Sequence, residues 1–177
     1  MLLDERGRPC GSAPKATVHH ETTPLHLAFS CWLFDREDRT SPGARMLLTR
    51  RAAGKRTWPL SWTNSFCGHP RPGEAVEDAL RRRAVDELGV TVGPLRLELP
   101  DFRYTARMPN GVTENEVCPV LSGLLLGDPR PDPAEVESFR WVRWATLPGE
   151  LAEEPGSYSP WLRLQLPLLV EAAQHGR

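Results

Sequence analysis

The sequence lacks any long hydrophobic run and any excess of one charge. None of its apolar stretches approaches the roughly 20 residues that a membrane-spanning helix needs. Its 22 basic and 23 acidic residues give a formal net charge of −1, so no electrostatic argument favours binding to nucleic acid or to an anionic membrane. Acidic residues occur as early as Asp4 and Glu5, which is not typical of a secretory signal, and we expect a cytoplasmic protein.

The four cysteines include no C-x-x-C pair, which argues against both a zinc ribbon and a disulfide scaffold. Cys31 lies in the apolar stretch Leu27–Phe34 and is predicted to be a small buried thiol. Cys67 stands two residues before His69, in the segment 62–70. If that segment is extended, alternation places the thiol and the imidazole on one face, where they form a candidate site.

The apolar pattern predicts strands, one central helix, further strands and a terminal helix within one domain. The clearest helix is predicted over 74–88, because apolar residues recur every four positions and Gly89 is suited to end it. Val85 belongs beside its apolar face, and Glu87 belongs to its polar face. Strands are predicted at 26–34, 46–49, 95–104, 116–126 and 139–144, and a last helix from Ser159 to about Gln174. This order indicates an α+β fold, with a mixed sheet and helices against it.

A set of imidazoles and carboxylates suggests a metal site. Three imidazoles with carboxylates suit Zn²⁺, Mn²⁺ or iron better than Mg²⁺, which prefers oxygen ligands. In an extended segment, two carboxylates at 114 and 116 share one face, as do the side chains at 67 and 69. His20 competes with its neighbour for the same role, and local spacing leaves both open. The candidate ligands are His19, His26, His69, Glu114 and Glu116.

The segment 68–90 resembles the Nudix box, a loop-helix-loop whose helical acids hold a divalent metal against a diphosphate. Its matching positions include Gly68, Glu74 and Glu87, and Glu87 is a candidate ligand of Mg²⁺. Arg83 stands where that pattern has a glutamate, which puts a multi-metal hydrolytic cluster in doubt. Lysine is scarce, since only Lys15 and Lys55 occur in the chain. Cationic side chains that could hold a diphosphate are Arg51, Lys55 and Arg83.

Taken together, the motifs resemble the type 1 isopentenyl-diphosphate isomerases, a family of Nudix fold. The likeness runs from His19 to the last helix. It rests on the segments 26–30, 49–51, 62–70, 101–104, 114–119 and 159–161. It implies a Nudix-like α/β/α sandwich at 26–177, a single catalytic domain, and an arm at 1–25 that contributes metal ligands.

The resemblance also implies a reaction. Such an enzyme interconverts isopentenyl and dimethylallyl diphosphate by protonation and deprotonation through a tertiary carbocation, in isoprenoid biosynthesis. Cys67 and Glu116 would act as acid and base on opposite faces of the substrate. Tyr104 would assist Glu116, and the indole of Trp161 would shield the carbocation.

The same resemblance implies two metals and an anion site. Zn²⁺ or Mn²⁺ would take the histidines and glutamates named above, and Mg²⁺ would be held by Glu87 and Cys67 with the substrate diphosphate. The diphosphate would contact Lys15, Arg51, Lys55 and Arg83. The expected partner is therefore a small isoprenoid diphosphate, and we expect a monomer.

Two other hypotheses remain, together with two open questions. A Nudix hydrolase of another diphosphate would need more helical acids and would give Cys67 no role. A non-catalytic metal-binding module would leave Tyr104 and Glu87 without a purpose. The sequence also leaves open which metal the histidines hold, and which of Cys67 and Glu116 protonates first.

Overall fold

The computed structural model describes residues 1–175, and for Lys15, Ala16 and His175 it describes the backbone alone. The strands are β1 (Leu2–Leu3), β2 (Pro9–Gly11), β3 (His26–Leu27), β4 (Phe29–Phe34), β5 (Arg45–Arg51), β6 (Trp62–Thr63), β7 (Phe66–Gly68), β8 (Thr91–Leu99), β9 (Arg103–Arg107), β10 (Thr113–Val117), β11 (Val120–Leu126) and β12 (Val136–Arg143). The helices are α1 (Lys15–Val18), α2 (Val76–Leu88), α3 (Leu147–Glu153) and α4 (Pro160–His175).

Two mixed sheets form the framework. The smaller sheet has the order β2-β1-β3-β10-β9, and the larger has the order β12-β5-β4-β11-β8, with β6 beside β5 and β7 beside β4. Each sheet contains one parallel pair, β3 with β10 and β4 with β11. Strand β4 is buried on both faces, which explains its continuous apolar sequence.

Helices cover both faces of the larger sheet. On one face, α2 packs Leu80 and Leu88 against Phe29 and Leu33 of β4. On the other face, α4 packs its apolar side against Trp32 and its neighbours. The α+β prediction and the α/β/α sandwich are therefore confirmed. Among the helices of residues 1–175, none has the length and apolar character that crossing a bilayer requires.

The predicted strand at 26–34 is wrong in one respect, because it is two strands in two sheets. The chain changes sheets at Ala28, whose N–H donates to the carbonyl of Val117 at 2.9 Å. The predicted strand at 116–126 divides in the same way at Cys118 and Pro119. Proline has no N–H for a sheet ladder, so a break at Pro119 is the physical reason for the second division.

Helix α2 differs from its prediction at its start and on its surface. It begins at Val76, two residues later than predicted, and ends as expected where Gly89 adopts a left-handed conformation with φ of 64°. Val85 is 57% exposed and does not join the buried face, whereas Glu87 is only 4% exposed. The expected placement of both residues is therefore wrong. A periodic pattern of polar and apolar residues does not reveal that Glu87 is buried against its ion-pair partner Arg83.

The remaining elements largely follow the predictions. Strand β8 starts earlier than the predicted strand at 95–104 and ends at Leu99, so that β9 is a separate strand. Helix α3 has no counterpart in the predictions. The last helix starts as expected, since the hydroxyl of Ser159 accepts a hydrogen bond from the N–H of Leu162 at 3.4 Å.

The segment 62–68 fills the gap where β4 and β5 diverge. These two strands pair only near Phe34 and Met46, and β6 and β7 occupy the space between them. The Ser65 hydroxyl bridges them, because it accepts from the N–H of Leu33 at 2.8 Å and donates to the carbonyl of Leu47 at 2.7 Å. The backbone around Cys67 is therefore fixed by the centre of the larger sheet.

Candidate active site

A cavity of about 430 Å³ lies beside β7 and α4, and most of the predicted site residues line it. Another cavity, of about 460 Å³, lies between the loop after β4 and β8 and contains none of them. His26 and Glu87 do not line the 430 Å³ cavity, and the side chain of Lys15 is outside the described part of the structure. The predicted residues in its wall are His19, Arg51, Lys55, Cys67, His69, Arg83, Tyr104, Glu114, Glu116 and Trp161.

Three histidines and Glu116 converge at one end of this cavity. One ligand atom from each of His19, His26, His69 and Glu116 lies within 4.8 Å of all the others. Nε2 of His69 is 3.1 Å from Oε1 of Glu116, and Nε2 of His26 is 3.4 Å from the same oxygen. His19 lies in this cluster, whereas His20 is exposed and its Nδ1 accepts from the N–H of Thr22.

The local fold explains this convergence. In the smaller sheet, Glu116 is directly opposite His26 on the parallel strand β3. Glu114 lies two positions earlier on β10, on the same side of the strand, and its carboxylate reaches His19 just after α1. His69 follows β7 in the larger sheet. The cluster therefore joins the two sheets and the segment before residue 26.

The donor atoms of this cluster fit a divalent metal. Nδ1 of His26 donates to the carbonyl of Pro24 at 2.9 Å, which directs its Nε2 at the cluster, where it contacts Glu116. Nε2 of His19 and Oε2 of Glu114 are 2.9 Å apart, but their geometry makes no hydrogen bond. Buried polar atoms are normally paired. Imidazole nitrogens with carboxylate oxygens are typical ligands of zinc and related metals.

Burial and charge move the pKa values of these groups apart. Burial would raise the pKa of Glu116, but hydrogen bonds from His26 and His69 lower it well below its usual value. Burial would lower the pKa of His26, but Glu116 raises it above its usual value. For His69, burial prevails over Glu116 and the pKa is lowered. Glu116 is therefore held as a carboxylate.

Cys67 is the thiol of the cavity. Its Sγ lies 3.4 Å from Oδ1 of Asn64 and 3.6 Å from the hydroxyl of Ser30. Burial raises the pKa of Cys67 to about 12, against the opposing effect of these hydrogen bonds. Tyr104 is also buried, and its burial together with the nearby Glu116 raises its pKa well above the usual value. Both groups therefore hold their protons at neutral pH.

Trp161 forms part of the cavity wall near Tyr104. The two ring centroids are 6.0 Å apart, and the indole N–H donates to the hydroxyl of Thr63 at 2.8 Å. The guanidinium of Arg51 lies over the indole, 5.1 Å from its centroid. Two hydrogen bonds to the carbonyl of Thr57 fix Arg51 in this place. The indole thus presents a π-face that already attracts a cation.

Arg83 and Lys55 form a cationic part of the cavity around two carboxylates. Arg83 donates to Glu87 at 2.8 Å through Nε and to Glu135 at 3.1 Å through Nη2. Lys55 also contacts Glu135. Glu87 is buried behind Arg83, which keeps it out of the cavity wall. Glu135 was not predicted from the sequence, since no local pattern marks it, and Asn64 was given no role, although it lies in the motif 62–70.

The fold and this site match known proteins. The NUDIX domain family matches residues 24–162. Among solved structures, DR0079 from Deinococcus radiodurans is 21% identical, covers 86% of this chain and 87% of its own, and superposes with a TM-score of 0.62. A MutT NUDIX hydrolase from Burkholderia pseudomallei is 23% identical, covers 82% of this chain and 98% of its own, and has a TM-score of 0.59. The architecture of two sheets and flanking helices is thus the NUDIX fold.

Sequence relatives are more specific. A protein of Mycolicibacterium vanbaalenii named isopentenyl-diphosphate Delta-isomerase is 54% identical over 97% of this chain and 91% of its own length. A protein of the same name from Paenarthrobacter aurescens is 52% identical over 97% of this chain and 90% of its own length. The chain therefore belongs to the NUDIX family, in the branch that contains the isopentenyl-diphosphate Delta-isomerases. This confirms the resemblance drawn from the motifs.

Proposed function

We propose that this chain is an isomerase that interconverts isopentenyl diphosphate and dimethylallyl diphosphate in isoprenoid biosynthesis. One observation carries the proposal. A single cavity contains a protonated thiol at Cys67, a carboxylate at Glu116 and a cationic region around Arg83. Its curated relatives bear the name of this activity.

The lining of the cavity suits a short isoprenoid diphosphate. Arg51, Lys55 and Arg83 supply charge-assisted donors for the diphosphate, and Lys15 would join them. Tyr104 and Trp161 supply apolar ring surface for the carbon chain. The proposed partner is therefore a small isoprenoid diphosphate, and we propose that the enzyme acts as a monomer.

The isomerisation requires one group that gives a proton and one that takes a proton. The double bond moves when a proton is added to one carbon and another is removed from a second carbon, so the substrate's composition does not change. When the pKa values of two neighbouring groups are shifted in opposite directions, one group is suited to act as the acid and the other as the base. Cys67 holds its proton and Glu116 does not, while Tyr104 lies beside Glu116 to assist it.

Trp161 would lower the energy of the tertiary carbocation between the two proton transfers. A cation over an indole face gains about 2 kcal/mol or more when water is excluded. The indole is 3% exposed, and its interaction with Arg51 demonstrates that this ring accepts a cation. Loss of the ring should therefore slow the chemical step more than it weakens diphosphate binding.

Enzymes of the NUDIX family use divalent metals, and this chain contains a His/Glu cluster that could hold one. We propose that Zn²⁺ or Mn²⁺ binds the His/Glu cluster. In this proposal the N-terminal arm, residues 1–25, contributes His19 as a ligand. The bound charge would reduce the basicity of the Glu116 carboxyl. We propose that Glu87, which pairs with Arg83, and Cys67 would hold Mg²⁺ together with the diphosphate, where the ion would offset the negative charge of the substrate.

A hydrolytic activity finds less support in the site. Arg83 occupies the helical position of an expected glutamate and pairs with Glu87. Asp86, the neighbouring acid, has a side chain 48% exposed. Within residues 1–175, the cluster of possible metal ligands contains histidines and Glu116 and no acid of α2.

The test is a reaction in D₂O. Purified protein, Mg²⁺ and isopentenyl diphosphate are incubated, and the substrate is followed by NMR. Deuterium in a dimethylallyl product is the expected result. Release of phosphate without a new alkene would refute the proposal and favour a hydrolase.

A further inference from the structure

Asn64 lies between β6 and β7 with no exposed surface, and its amide has a fixed orientation. Nδ2 donates to the carbonyl of Cys31 at 2.9 Å and to the carbonyl of Phe66 at 2.8 Å. Both neighbours of this nitrogen are acceptors, so a flipped amide would place its oxygen against two carbonyl oxygens. The side-chain oxygen must therefore point away from the carbonyls of Cys31 and Phe66.

That oxygen faces two residues of the cavity wall. It accepts from the indole N–H of Trp161 at 3.0 Å and from Sγ of Cys67 at 3.4 Å. It also accepts from the hydroxyl of Thr63 at 2.9 Å. The indole N–H can only donate, and it divides its hydrogen bond between this oxygen and the hydroxyl of Thr63 at 2.8 Å. A hydrophobic side chain at 64 would remove one of these two acceptors, and with it the oxygen to which the Thr63 hydroxyl donates.

The amide of Asn64 thus connects backbone carbonyls of the larger sheet to two side chains of the cavity wall. Cys31 and Phe66 are directly paired residues of β4 and β7 in the larger sheet. Trp161 lies in the first turn of α4, a different element. The amide of Asn64 therefore ties the indole of Trp161 and the thiol of Cys67 to the same two backbone carbonyls of the larger sheet.

We propose that Asn64 is a positioning residue for the isomerisation, an inference that rests on the function proposed above. Its amide oxygen sets the orientation of the Cys67 thiol and of the Trp161 indole, the two groups of this wall assigned to the carbon chain. A misplacement of about 1 Å in such groups can cost about 100-fold in rate. The diphosphate ligands Arg51, Lys55 and Arg83 make no hydrogen bond with Asn64. Arg51 contacts the indole of Trp161 but is held by the carbonyl of Thr57, so substrate affinity should change much less than turnover.

The test compares Asn64→Leu with Asn64→Asp. Leu removes the acceptor at similar size, whereas Asp retains an oxygen toward Trp161 and Cys67 but opposes the two carbonyls with its second oxygen. We expect kcat to fall about 10- to 100-fold in Asn64→Leu with KM within about threefold, and kcat of Asn64→Asp to be higher than that of Asn64→Leu. If the amide served the backbone alone, Asp would be as harmful as Leu or more so.

A second readout is independent of turnover. In ¹⁵N-tryptophan-labelled protein, the indole resonance of Trp161, identified by its loss in Trp161→Phe, should move upfield in Asn64→Leu and less in Asn64→Asp. Gln165 provides the control, because it is another fully buried amide that accepts from an indole, that of Trp32 at 2.9 Å. Gln165→Leu should lower stability but leave the Trp161 resonance in place. It is a control for the resonance and not for kcat, because Gln165 also accepts from the hydroxyl of Ser30 at 2.8 Å, a contact of Cys67.

The outcomes separate the two proposals. A wild-type protein that makes no dimethylallyl product refutes the proposed function. An active wild type with full kcat in Asn64→Leu, or with kcat lower in Asn64→Asp than in Asn64→Leu, refutes the positioning role alone. A rise in KM without a change in kcat refutes it as well. If Asn64→Leu does not fold, the smaller Asn64→Ser is measured by the same criteria.

Discussion

Glu116 on β10 lies directly opposite Tyr104 on the antiparallel strand β9 and opposite His26 on the parallel strand β3. Side chains at opposite positions of neighbouring strands project from the same face of a sheet. Glu116 therefore has a metal-ligand candidate on one side and a phenol of the cavity on the other. The position accounts for a carboxylate that can belong both to a metal site and to proton transfer.

Removal of either proton-transfer group should abolish most turnover. We expect kcat to fall by about 100- to 10,000-fold in Cys67→Ala and in Glu116→Gln, because each loses general acid–base catalysis. Turnover is measured by conversion of isopentenyl diphosphate, and folding by circular dichroism. Cys31→Ala is the matched control, since that buried thiol packs in the core beneath α2 and does not line the cavity. Near-full activity in Cys67→Ala would show that the assignment of the thiol is wrong.

Two adjacent histidines give a sharp test of the metal site. His19→Ala should lower affinity for Zn²⁺ or Mn²⁺ by about 100-fold or more, since even outer-shell changes cost about 10- to 100-fold. His20→Ala should retain full affinity, because His20 is exposed and lies outside the cluster. Bound metal is measured by mass spectrometry after dialysis. Chelation should also lower Tm in the wild type, and equal metal content in both variants would contradict the site.

Two adjacent arginines test the anion site. Arg83→Gln removes a cation of the cavity wall but retains an amide that can donate to Glu87. Loss of a charged hydrogen bond costs about 1.5–3 kcal/mol, so KM for the diphosphate should rise about 10-fold or more. Arg82→Gln should change KM little, because Arg82 is held by Glu74 at 2.8 Å and does not line the cavity. Equal KM values would remove Arg83 from the proposed site.

The thiol of Cys67 should be unreactive at neutral pH. Burial raises its pKa from 9.0 to about 12, so the folded protein holds it as a thiol where the unfolded chain would begin to ionise. The stabilising contribution of the neutral thiol is therefore complete below pH 9.0 and is lost as pH rises from 9.0 toward 12. Alkylation with iodoacetamide, followed by mass spectrometry, should modify exposed Cys10 first. Faster modification of Cys67 at neutral pH would indicate a thiolate.

Gly68 is required for space and not for an unusual backbone angle. A Cβ at this position would lie 2.7 Å from Cζ of buried Phe29 and 3.1 Å from Cγ of Arg83. Gly68→Ala should therefore cost about 1–3 kcal/mol in the free energy of unfolding and raise KM through displacement of Arg83. Denaturant titration and kinetics measure the two effects. Gly149→Ala, where no described atom lies within 4 Å of the added carbon, should be neutral or stabilising.

The sequence predicted those parts of the fold that depend on local chemistry. The core of α2 with its end at Gly89, and the start of α4 at Ser159, follow from periodicity and capping preferences. The motif at 62–70 and the histidines also predicted where the candidate site lies, since Cys67, His19 and His69 line the same cavity. The resemblance to a family supplied the roles that local patterns do not contain.

The remaining features depend on tertiary contacts. The division of the run 26–34 at Ala28 is set by pairing with two distant strands, β10 and β11, and local periodicity contains no trace of it. Glu135 has no sequence signature, and the motif 62–70 includes Asn64 without indicating its role, because both residues act through partners remote in the chain. Glu87 is buried because Arg83 pairs with it one turn earlier, which a pattern of polar and apolar residues does not reveal.

The paired change of sheets at Ala28 and Pro119 has a consequence for the order of folding. β3 and β10 leave the smaller sheet side by side and continue as β4 and β11, with the N–H of Ser30 donating to the carbonyl of Pro119 at 3.0 Å. Contacts so remote in sequence are slow to form. Because β3 and β10 run directly into β4 and β11, pairing of β4 with β11 also brings His26 and Glu116 side by side. Amide hydrogens of β10 should then exchange with solvent by local opening, and those of β11 only by global unfolding. Added metal should reduce this difference in exchange rate between the two strands.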